Sequence, residues 1–342
     1  MRSKTILLIV LVLFSIFSIN ALTEDEQNTI DIVKANSNSM VFITNIRLVR
    51  DFFFSEERVA RGTGSGFIWD TKGHIVTNYH VIEDGDAFMV TLPNQKQHKA
   101  KLVGKEINKD IAVLKIEGDT RNLSPVKTGR SRDLQVGQKV IAIGNPFGFD
   151  NSVTTGIVSA LGRQIVGVGE VTIKNMIQTD ASINPGNSGG PLLNSDSELI
   201  GMNTMIYSKT GTSTGIGFAV PVDTIKKIVP QIIRFGKVIR PGIGVSMLSD
   251  SYARRLNIKG VVILEAPRNS GAFRAGLRGL DRDQNGQLFI RDIIIGIDKN
   301  RINSYDDLYN ILDNYRVGDR IILTVKRGEK QRQIRLRLVE ID

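Results

Sequence analysis

The chain has 342 residues, of which 41% are hydrophobic and 23% charged, a composition typical of a globular protein with room for two separate cores. It has no cysteine, which excludes a disulfide framework and a thiolate metal site but leaves the compartment open. The net charge is +10, yet the basic residues are scattered, and their densest run, Lys326–Arg337, alternates like a strand with one solvated face. We therefore predict no nucleic-acid binding. The hypothesis that the protein binds anionic surfaces is supported by its net charge alone.

The first 21 residues have the pattern of a secretory signal peptide. Arg2 and Lys4 precede the apolar stretch Ile6–Ile19, and Ala21 would precede the cleavage site. The stretch is short for a membrane span. A large residue at Ile19, where a small one is usual, leaves an uncleaved anchor open. We expect a periplasmic protein, with secretion or membrane anchoring as alternatives.

Residues 22–39 are polar and acidic, which predicts an N-terminal arm or a short helix. From Met40 onward, short apolar runs are separated by Gly, Asn and Asp at intervals of roughly ten residues, a pattern that indicates a β-barrel or β-sandwich. The predicted strands are Val41–Ile43, Gly66–Trp69, His74–Thr77, Ala87–Leu92, Ile111–Ile116, Lys139–Ile143, Gly156–Ala160, Met176–Thr179, Leu199–Asn203 and Gly217–Val220.

Pro221–Phe235 carries apolar residues at helical spacing and is followed by Gly236, which predicts a helix that ends there. We place the domain boundary after this helix, with one domain at 40–235 and a second at 236–342. The second domain mixes strands with a predicted helix at Ser304–Asn314, for which Ser304 is the N-cap.

The polar stretch Asp281–Asp292 partly matches an EF-hand calcium loop, with acidic or amide residues at positions 1, 3 and 5 and Gly286 at position 6. Position 12 is Asp292 rather than Glu, and no helix precedes the stretch. The pattern favours an Asn-Gly turn in a polar loop, so we predict no metal site, and calcium binding stays open.

Residues 184–191, Asn-Pro-Gly-Asn-Ser-Gly-Gly-Pro, concentrate Gly and Pro around Ser188. Glycines allow positive φ and let backbone N–H groups converge on one point. A nucleophilic serine needs a base, a group that orients the base, and donors for the developing oxyanion. The amides of Gly186 and Ser188 are placed to be those donors. The turn therefore favours a catalytic serine, and on this turn alone an ordinary loop stays open, since such turns also occur there.

The base must be one of three histidines. His80 directly follows a predicted strand, whereas His74 lies at a turn and His98 in a polar stretch that reads as a solvated hairpin. The orienting carboxylate is predicted to be Asp110, because an apolar strand follows it at once, with Asp180 as the competitor.

Three segments, Thr77–Val81, Lys109–Leu114 and Gly186–Leu192, resemble the catalytic motifs of the HtrA/DegP family of serine proteases, in that family's order of His, Asp and Ser. Further segments that resemble family landmarks are Gly62–Ile68, Ala142–Gly148 and Gly215–Pro221. The resemblance extends over nearly all of residues 40–340 and is closest to plant Deg-type members.

The resemblance implies a mostly β chain, with a chymotrypsin-like double β-barrel followed by a C-terminal PDZ domain. It implies that His80 is the general base and acid, Asp110 its orienter and Ser188 the nucleophile. The oxyanion hole would consist of the Gly186 and Ser188 amides with Asn187 between them.

The resemblance also assigns two binding sites. Ile183 and Ile206 match positions that line a small apolar S1 pocket, which implies cleavage after Val, Ala or Leu. Gly242-Ile243-Gly244-Val245 resembles the carboxylate-binding loop of a PDZ domain, which takes hydrophobic peptide C-termini. On this tetrapeptide alone, a plain strand start stays open. Other segments that resemble PDZ elements are Val261–Ile263, Ser270–Leu277 and Asp292–Asp298.

The function implied is an ATP-independent, cofactor-free serine endopeptidase of protein quality control that acts on unfolded or misfolded polypeptides. Gly162–Glu170 and Tyr207–Gly215 are glycine-rich enough to be activation loops. The family assembles as homotrimers or higher oligomers, and Phe52–Phe54 is a candidate contact unless it packs on its own core. The alternative function is a chaperone or peptide-binding scaffold whose catalytic triad is mostly unassembled.

Overall fold

The computed structural model describes residues 22–50, 56–145, 148, 151–167, 171–184, 186–206 and 215–341. The predicted signal peptide, the Phe52–Phe54 contact and the loop Tyr207–Gly215, except for Gly215 itself, lie outside these residues, as does the side chain of Ile206.

Six antiparallel strands close a first barrel in the order β1-β2-β3-β6-β5-β4. Their bounds are β1 (Met40–Arg50), β2 (Glu56–Ile68), β3 (His74–Thr77), β4 (Ala87–Thr91), β5 (Gln97–Glu106) and β6 (Ile111–Ile116). The predicted solvated hairpin around His98 is confirmed, because β4 and β5 pair antiparallel across an exposed turn and His98 lies opposite Val90, although β5 itself was not among the predicted strands. The strand has few buried side chains, so its polar sequence gave no strand pattern.

Six further strands close a second barrel in the order β10-β11-β12-β9-β8-β7. Their bounds are β7 (Lys139–Gly144), β8 (Ser152–Val166), β9 (Thr172–Thr179), β10 (Pro191–Leu193), β11 (Leu199–Ile206) and β12 (Gly217–Pro221). The double barrel that the resemblance implied is therefore confirmed. The predicted loop Gly162–Glu170 is wrong for residues 162–166, because these residues belong to β8. The strand continues through Gly162, whose φ is 70°, and its pairing with β9 contains register shifts.

Two helices pack on the barrels. Helix α1 (Glu24–Asn36) begins with a capping box between Thr23 and Glu26, and Lys139 of the second barrel binds Asp25 at its start with 2.6 Å between Nζ and Oδ1. Helix α2, a single turn, spans Tyr79–Ile82.

Helix α3 (Val222–Phe235) follows β12 directly and buries Ile225, Val229 and Ile232 between the barrels. It ends at Gly236, whose φ of 74° and N–H bond to the carbonyl of Ile232 form a left-handed cap. A side chain on Gly104 of β5 would overlap the carbonyl of Gly236, so this glycine permits the close approach of barrel and helix end.

The C-terminal unit is built on a sheet of strands in the order β14-β15-β18-β20-β21, with β19 paired to β18. The strands of this unit are β13 (Arg240–Gly242), β14 (Ser246–Met247), β15 (Val261–Glu265), β16 (Leu280–Arg282), β17 (Leu288–Ile290), β18 (Asp292–Ile297), β19 (Asn300–Arg301), β20 (Arg320–Arg327), β21 (Lys330–Arg337) and β22 (Val339–Ile341). The helices are α4 (Asp250–Arg255), α5 (Gly271–Arg274) and α6 (Tyr305–Leu312).

Two expectations for this unit change in detail. The basic run Lys326–Arg337 is not one strand, because a turn at Gly328 divides it between β20 and β21. Ser304 does cap α6, since its hydroxyl accepts the N–H of Asp307 at 3.0 Å. Within the described residues, no helix is both long and apolar enough to cross a membrane.

The calcium-like stretch forms the exposed hairpin β16–β17. Asp283 accepts the backbone N–H groups of Asn285 and Gln287, as expected of an Asn-Gly turn. Asp292 is fully buried and holds Arg327 through both oxygens, at 2.6 and 2.7 Å, and these bonds raise the pKa of Arg327. The residue at position 12 is therefore engaged in an ion pair that joins β18 to β20.

We expect Asp292→Asn to destabilise the C-terminal unit by about 2–3 kcal/mol, because the partner of the guanidinium loses its charge while Arg327 stays partly buried. Hydrogen exchange of the β20 and β21 amides measures the opening free energy. Glu329→Gln is the matched control: its contact with Lys326 is long, at 4.0 Å, and exposed, so a change of less than about 0.5 kcal/mol is expected. Equal effects of the two variants would contradict the conclusion that the Asp292–Arg327 ion pair stabilises the C-terminal unit.

Candidate active site

His80 lies on α2, directly after β3, with Asn78 at the N-cap. Its ring Nδ1 is 2.8 Å from Oδ2 of Asp110, and its backbone N–H donates to Oδ1 of the same carboxylate at 3.0 Å. A carboxylate only accepts, so Nδ1 carries the proton and the neutral ring keeps a lone pair on Nε2. The imidazole is 31% exposed, whereas Asp110 is fully buried.

Asp110 owes its position to a backbone turn. A 3₁₀ turn at Ile107–Lys109 precedes it, and its own φ of 54° lies in the left-handed region, which is uncommon for a residue other than glycine. Its carbonyl accepts the side-chain amide of Asn78 at 3.0 Å. The competitor Asp180 is exposed and accepts the N–H of Ile157 instead, so the carboxylate beside His80 is that of Asp110.

Ser188 lies in the turn between β9 and β10. The turn needs glycine at Gly186, where φ is 101°, and at Gly189, where φ is 84° and a side chain would overlap the carbonyl of Ser65. The Ser188 hydroxyl donates to the carbonyl of Thr204 at 3.0 Å. In the described part of the chain, no hydrogen bond joins Ser188 to His80.

Thr204 links these groups, and sequence reasoning missed it. Its hydroxyl donates to Oδ2 of Asp110, and its carbonyl accepts the hydroxyl of Ser188. The register of β11 against β12 shifts between Asn203 and Met205, so Thr204 is the extra residue of a bulge. The only signal in the sequence was a pair of polar residues, Asn203 and Thr204, within an apolar strand.

Ser65 on β2 is a second residue without an assigned role in the sequence, although it lies in a motif that resembles a family landmark. It is fully buried, and its N–H donates to the carbonyl of Ser188 at 2.9 Å. Its hydroxyl donates to the carbonyl of Gly186 at 2.6 Å and accepts the N–H of Asn145 at 2.7 Å. Ser65 thus ties the turn around Ser188 to the first barrel and to the end of β7.

The expected oxyanion donors and S1 lining have these surroundings. Among the hydrogen bonds of the described residues, the amides of Gly186 and Ser188 have no acceptor, while Asn187 donates its N–H to the carbonyl of Asn184 at 3.0 Å. Ile183 is 1% exposed and lies against Gly217, where a side chain would overlap it.

The other histidines lie outside this site. His74 is buried at the start of β3, with Nδ1 at 2.6 Å from Oδ2 of Asp70. Burial opposes the ionisation of Asp70, but the hydrogen bonds from His74 outweigh it and lower the pKa of Asp70. His98 contacts the carbonyl of Glu117.

The predicted peptide loop borders a cavity. Gly242 ends β13, Gly244 has a positive φ of 75°, and Ile243 is buried, with Val245 partly buried beside it. The adjoining cavity has a volume of about 290 Å³. Its apolar lining comes from the loop, β14 and α6 and includes Ile243, Met247, Tyr305, Leu308 and Leu312. Residues of the first barrel, among them Glu106, form one edge.

Two family models match the chain. A trypsin-like peptidase domain matches residues 64–202, and a PDZ domain matches residues 241–338. The double barrel, with a buried Asp110–His80 pair and a serine in a glycine turn, is therefore that of a trypsin-like serine protease, and the C-terminal unit is the PDZ domain that the resemblance implied.

Named relatives support this result. The chain is 46% identical over 319 residues to "Protease Do-like 1, chloroplastic" of Arabidopsis thaliana, covering 93% of this chain and 73% of that protein. It is 38% identical over 286 residues to a "Probable periplasmic serine endoprotease DegP-like" of Pseudomonas fluorescens, covering 82% of this chain and 56% of that protein.

A solved structure, "HtrA-type protease AlgW with decapeptide", is 32% identical with a TM-score of 0.68, covering 92% of this chain and 98% of that one. The chain belongs to the HtrA/Deg family of serine endopeptidases with one PDZ domain.

We expect Thr204→Val to lower kcat/KM by about 10- to 100-fold, because a buried carboxylate loses a hydrogen bond of about 1.5–3 kcal/mol. The Thr204→Ser variant keeps the hydroxyl and should stay within about threefold of the parent. Steady-state hydrolysis of a chromogenic peptide measures both. A valine variant as active as the parent would show that Asp110 does not need this donor.

Proposed function

We propose that this chain is an ATP-independent serine endopeptidase of protein quality control that degrades unfolded or misfolded polypeptides and needs no cofactor. The observation that carries the proposal is the contact of the buried Asp110 carboxylate with both His80 and Thr204, whose carbonyl holds the Ser188 hydroxyl. These contacts bring together an imidazole, a buried carboxylate and a serine hydroxyl, the groups that the proposed base, orienting acid and nucleophile require.

In the proposed reaction, Ser188 rotates away from the Thr204 carbonyl toward His80. Its Oγ bonds to the carbonyl carbon of the scissile peptide while Nε2 of His80 takes the hydroxyl proton. The imidazolium, stabilised by Asp110, then gives that proton to the leaving amine as the C–N bond breaks. Water, deprotonated by His80, hydrolyses the acyl-enzyme and returns the serine hydroxyl.

The donors for the oxyanion are proposed to be the amides of Gly186 and Ser188, on either side of Asn187. Their support is the absence of an acceptor for either amide in the described part of the chain. Donors that are already oriented stabilise the developing negative charge without reorganisation.

The S1 pocket is proposed to be small and apolar. Ile183 supports this, since it is buried against Gly217, a position that has no room for a side chain. Ile206 is retained as the second lining residue. Such a pocket fits Val, Ala or Leu and offers no charge to pair with Lys or Arg.

The PDZ domain is proposed to bind hydrophobic peptide C-termini at Gly242, Ile243, Gly244 and Val245 and thereby to regulate the protease. The apolar cavity beside this loop supports the proposal. We retain 40–235 and 236–342 as the domain bounds, because α3 ends at Gly236.

Two further properties remain proposals. Residues 1–21 are proposed to direct export to the periplasm, and secretion or membrane anchoring are the alternatives. The named relatives differ in this respect, one being chloroplastic and another periplasmic by name. Assembly as a homotrimer or an oligomer of trimers is proposed from the resemblance.

One observation favours a second function, a chaperone or peptide-binding scaffold. The Ser188 hydroxyl is bonded to the Thr204 carbonyl and not to the imidazole, which is an arrangement that must change before the nucleophile is activated. A chain that rarely leaves this arrangement would bind unfolded polypeptides without cleaving them.

We expect residues 22–342 to degrade casein, and Ser188→Ala to lose at least about 1000-fold in rate because the nucleophile is removed. Time courses on gels measure the difference, with circular dichroism to show that the variant is folded.

If neither protein cleaves casein, the same assay is repeated with a peptide that ends in a hydrophobic residue. Cleavage that appears only in the parent supports peptide regulation. Continued absence of cleavage, together with suppressed aggregation of a denatured substrate, would favour the chaperone.

The S1 proposal predicts cleavage after Val, Ala or Leu. Mass spectrometry of the casein fragments reads the residue before each cut. Gly217→Ala, which would crowd Ile183, should shift the preference toward Ala, and a preference for Lys, Arg or Asp in the parent would overturn the proposed lining.

A further inference from the structure

Two charged residues in the turn that precedes Asp110 are buried, and their partners come from the PDZ domain. Glu106 at the end of β5 is 6% exposed and Lys109 in the 3₁₀ turn is 8% exposed. Charged side chains are almost never buried to this extent without a partner. The turn that presents Asp110 is therefore bordered by two charges that need partners.

The partner of Glu106 is Arg240, the first residue of β13, whose side chain is 14% exposed. Its guanidinium also lies 4.5 Å from the centre of the Tyr309 ring on α6. The other oxygen of Glu106 accepts the N–H of Asn108 at 3.1 Å and so caps the 3₁₀ turn from inside. The hydroxyl of Tyr309 also donates to this oxygen at 3.5 Å. One carboxylate thus contacts both the 3₁₀ turn and the PDZ domain.

The partner of Lys109 is Asp313, at the C-cap of α6, with 3.1 Å between Nζ and Oδ2. The ammonium also lies 5.3 Å from the centre of the same Tyr309 ring. Together, Arg240, Tyr309 and Asp313 contact both charged residues of the turn that precedes Asp110.

A left-handed residue such as Asp110 keeps its conformation only where its surroundings enforce it. Removing one partner of a buried ion pair leaves the other charge unpaired and costly, so the segment must move toward water. Undocking of the PDZ domain would remove the ion-pair partners of both Glu106 and Lys109. The position of the Asp110 carboxylate is then coupled to the docking of α6.

We propose that Glu106 and Lys109 are positioning residues, through which the docked PDZ domain holds Asp110 against His80. The proposal rests on the proposed roles of Asp110 and His80. It adds that α6 supports catalysis through the turn before Asp110.

The chain provides a matched control on the same helix. Asp306 accepts the N–H and hydroxyl of Thr172 at 2.7 and 2.6 Å, which docks α6 on β9 through residues other than Glu106 and Lys109. Asp306→Asn removes the charge of this contact, keeps an acceptor oxygen for Thr172 and leaves every partner of Glu106 and Lys109 in place. Arg240→Gln removes the partner of Glu106, and Arg240→Lys keeps its charge.

The experiment reads the His80–Asp110 contact directly. Each substitution is placed in the Ser188→Ala chain, labelled with ¹⁵N-histidine, and the downfield proton resonance of His80 Nδ1–H is recorded. With three histidines in the sequence, the assignment follows from a His80→Gln chain. We expect the resonance in the Ser188→Ala parent, in Arg240→Lys and in Asp306→Asn, and its broadening or loss in Arg240→Gln and Asp313→Asn.

Kinetics give the second reading, with Ser188 restored and a tetrapeptide p-nitroanilide substrate, which has no free C-terminal carboxylate for the PDZ loop to bind. Arg240→Gln should lower kcat about tenfold with KM within about twofold, while Asp306→Asn stays within about twofold in both. If Arg240→Gln does not fold, Asp313→Asn decides, because the Lys109 ammonium then keeps its contact with the Tyr309 ring.

An unchanged resonance in folded Arg240→Gln and Asp313→Asn overturns the proposal, as does equal loss in Asp306→Asn or no resonance in the Ser188→Ala parent. Because the resonance needs no turnover, a chain that cleaves nothing but shows the expected pattern would refute the proposed protease activity and leave the positioning role standing.

Discussion

The Asp110 carboxylate has no contact with water, and the arrangement of the site follows from the need to give its oxygens donors. An ionised group is costly in such a place unless it is hydrogen-bonded. The donors are the backbone and ring of His80 in the first barrel and the hydroxyl of Thr204 in the second. Because they come from both barrels, the barrels must meet at this point. The carbonyl of Thr204 then receives Ser188, which brings the turn of the second barrel to the same junction.

Three departures from regular backbone make these contacts possible. Asp110 takes a left-handed conformation after a 3₁₀ turn, Thr204 is the extra residue of a bulge, and Gly186 and Gly189 bend the turn around Ser188 with positive φ. At each of these places the backbone leaves regular strand geometry, and a polar group points toward the site instead of pairing with an adjacent strand. The buried Ser65 fixes the last of them through the carbonyls of Gly186 and Ser188.

The two domains meet through charge as well as apolar contact. Glu106 with Arg240 and Lys109 with Asp313 are ion pairs shielded from water, and the ring of Tyr309 lies beside both cations. Electrostatic attraction is strong where water is excluded and weak where it is not. Docking of the PDZ domain and the conformation of the turn before Asp110 are therefore coupled. Opening the interface admits water, and water weakens the ion pairs that hold the interface closed.

Local patterns in the sequence were sufficient for the apolar strands and for the helix that ends at Gly236, and they singled out His80, Asp110 and Ser188 as candidates, because each of these patterns depends on a few neighbouring residues. The polar strand β5 was missed, and the length of β8 was underestimated, since strands with few buried side chains leave no alternating pattern. Barrel closure decides that Asp110 and not Asp180 contacts His80. It also brings the hydroxyl of Thr204 to Asp110, which is 94 residues away in the chain. Which donors reach a buried carboxylate depends on register, on bulges and on how two barrels and a PDZ domain pack, and none of these is a property of adjacent residues.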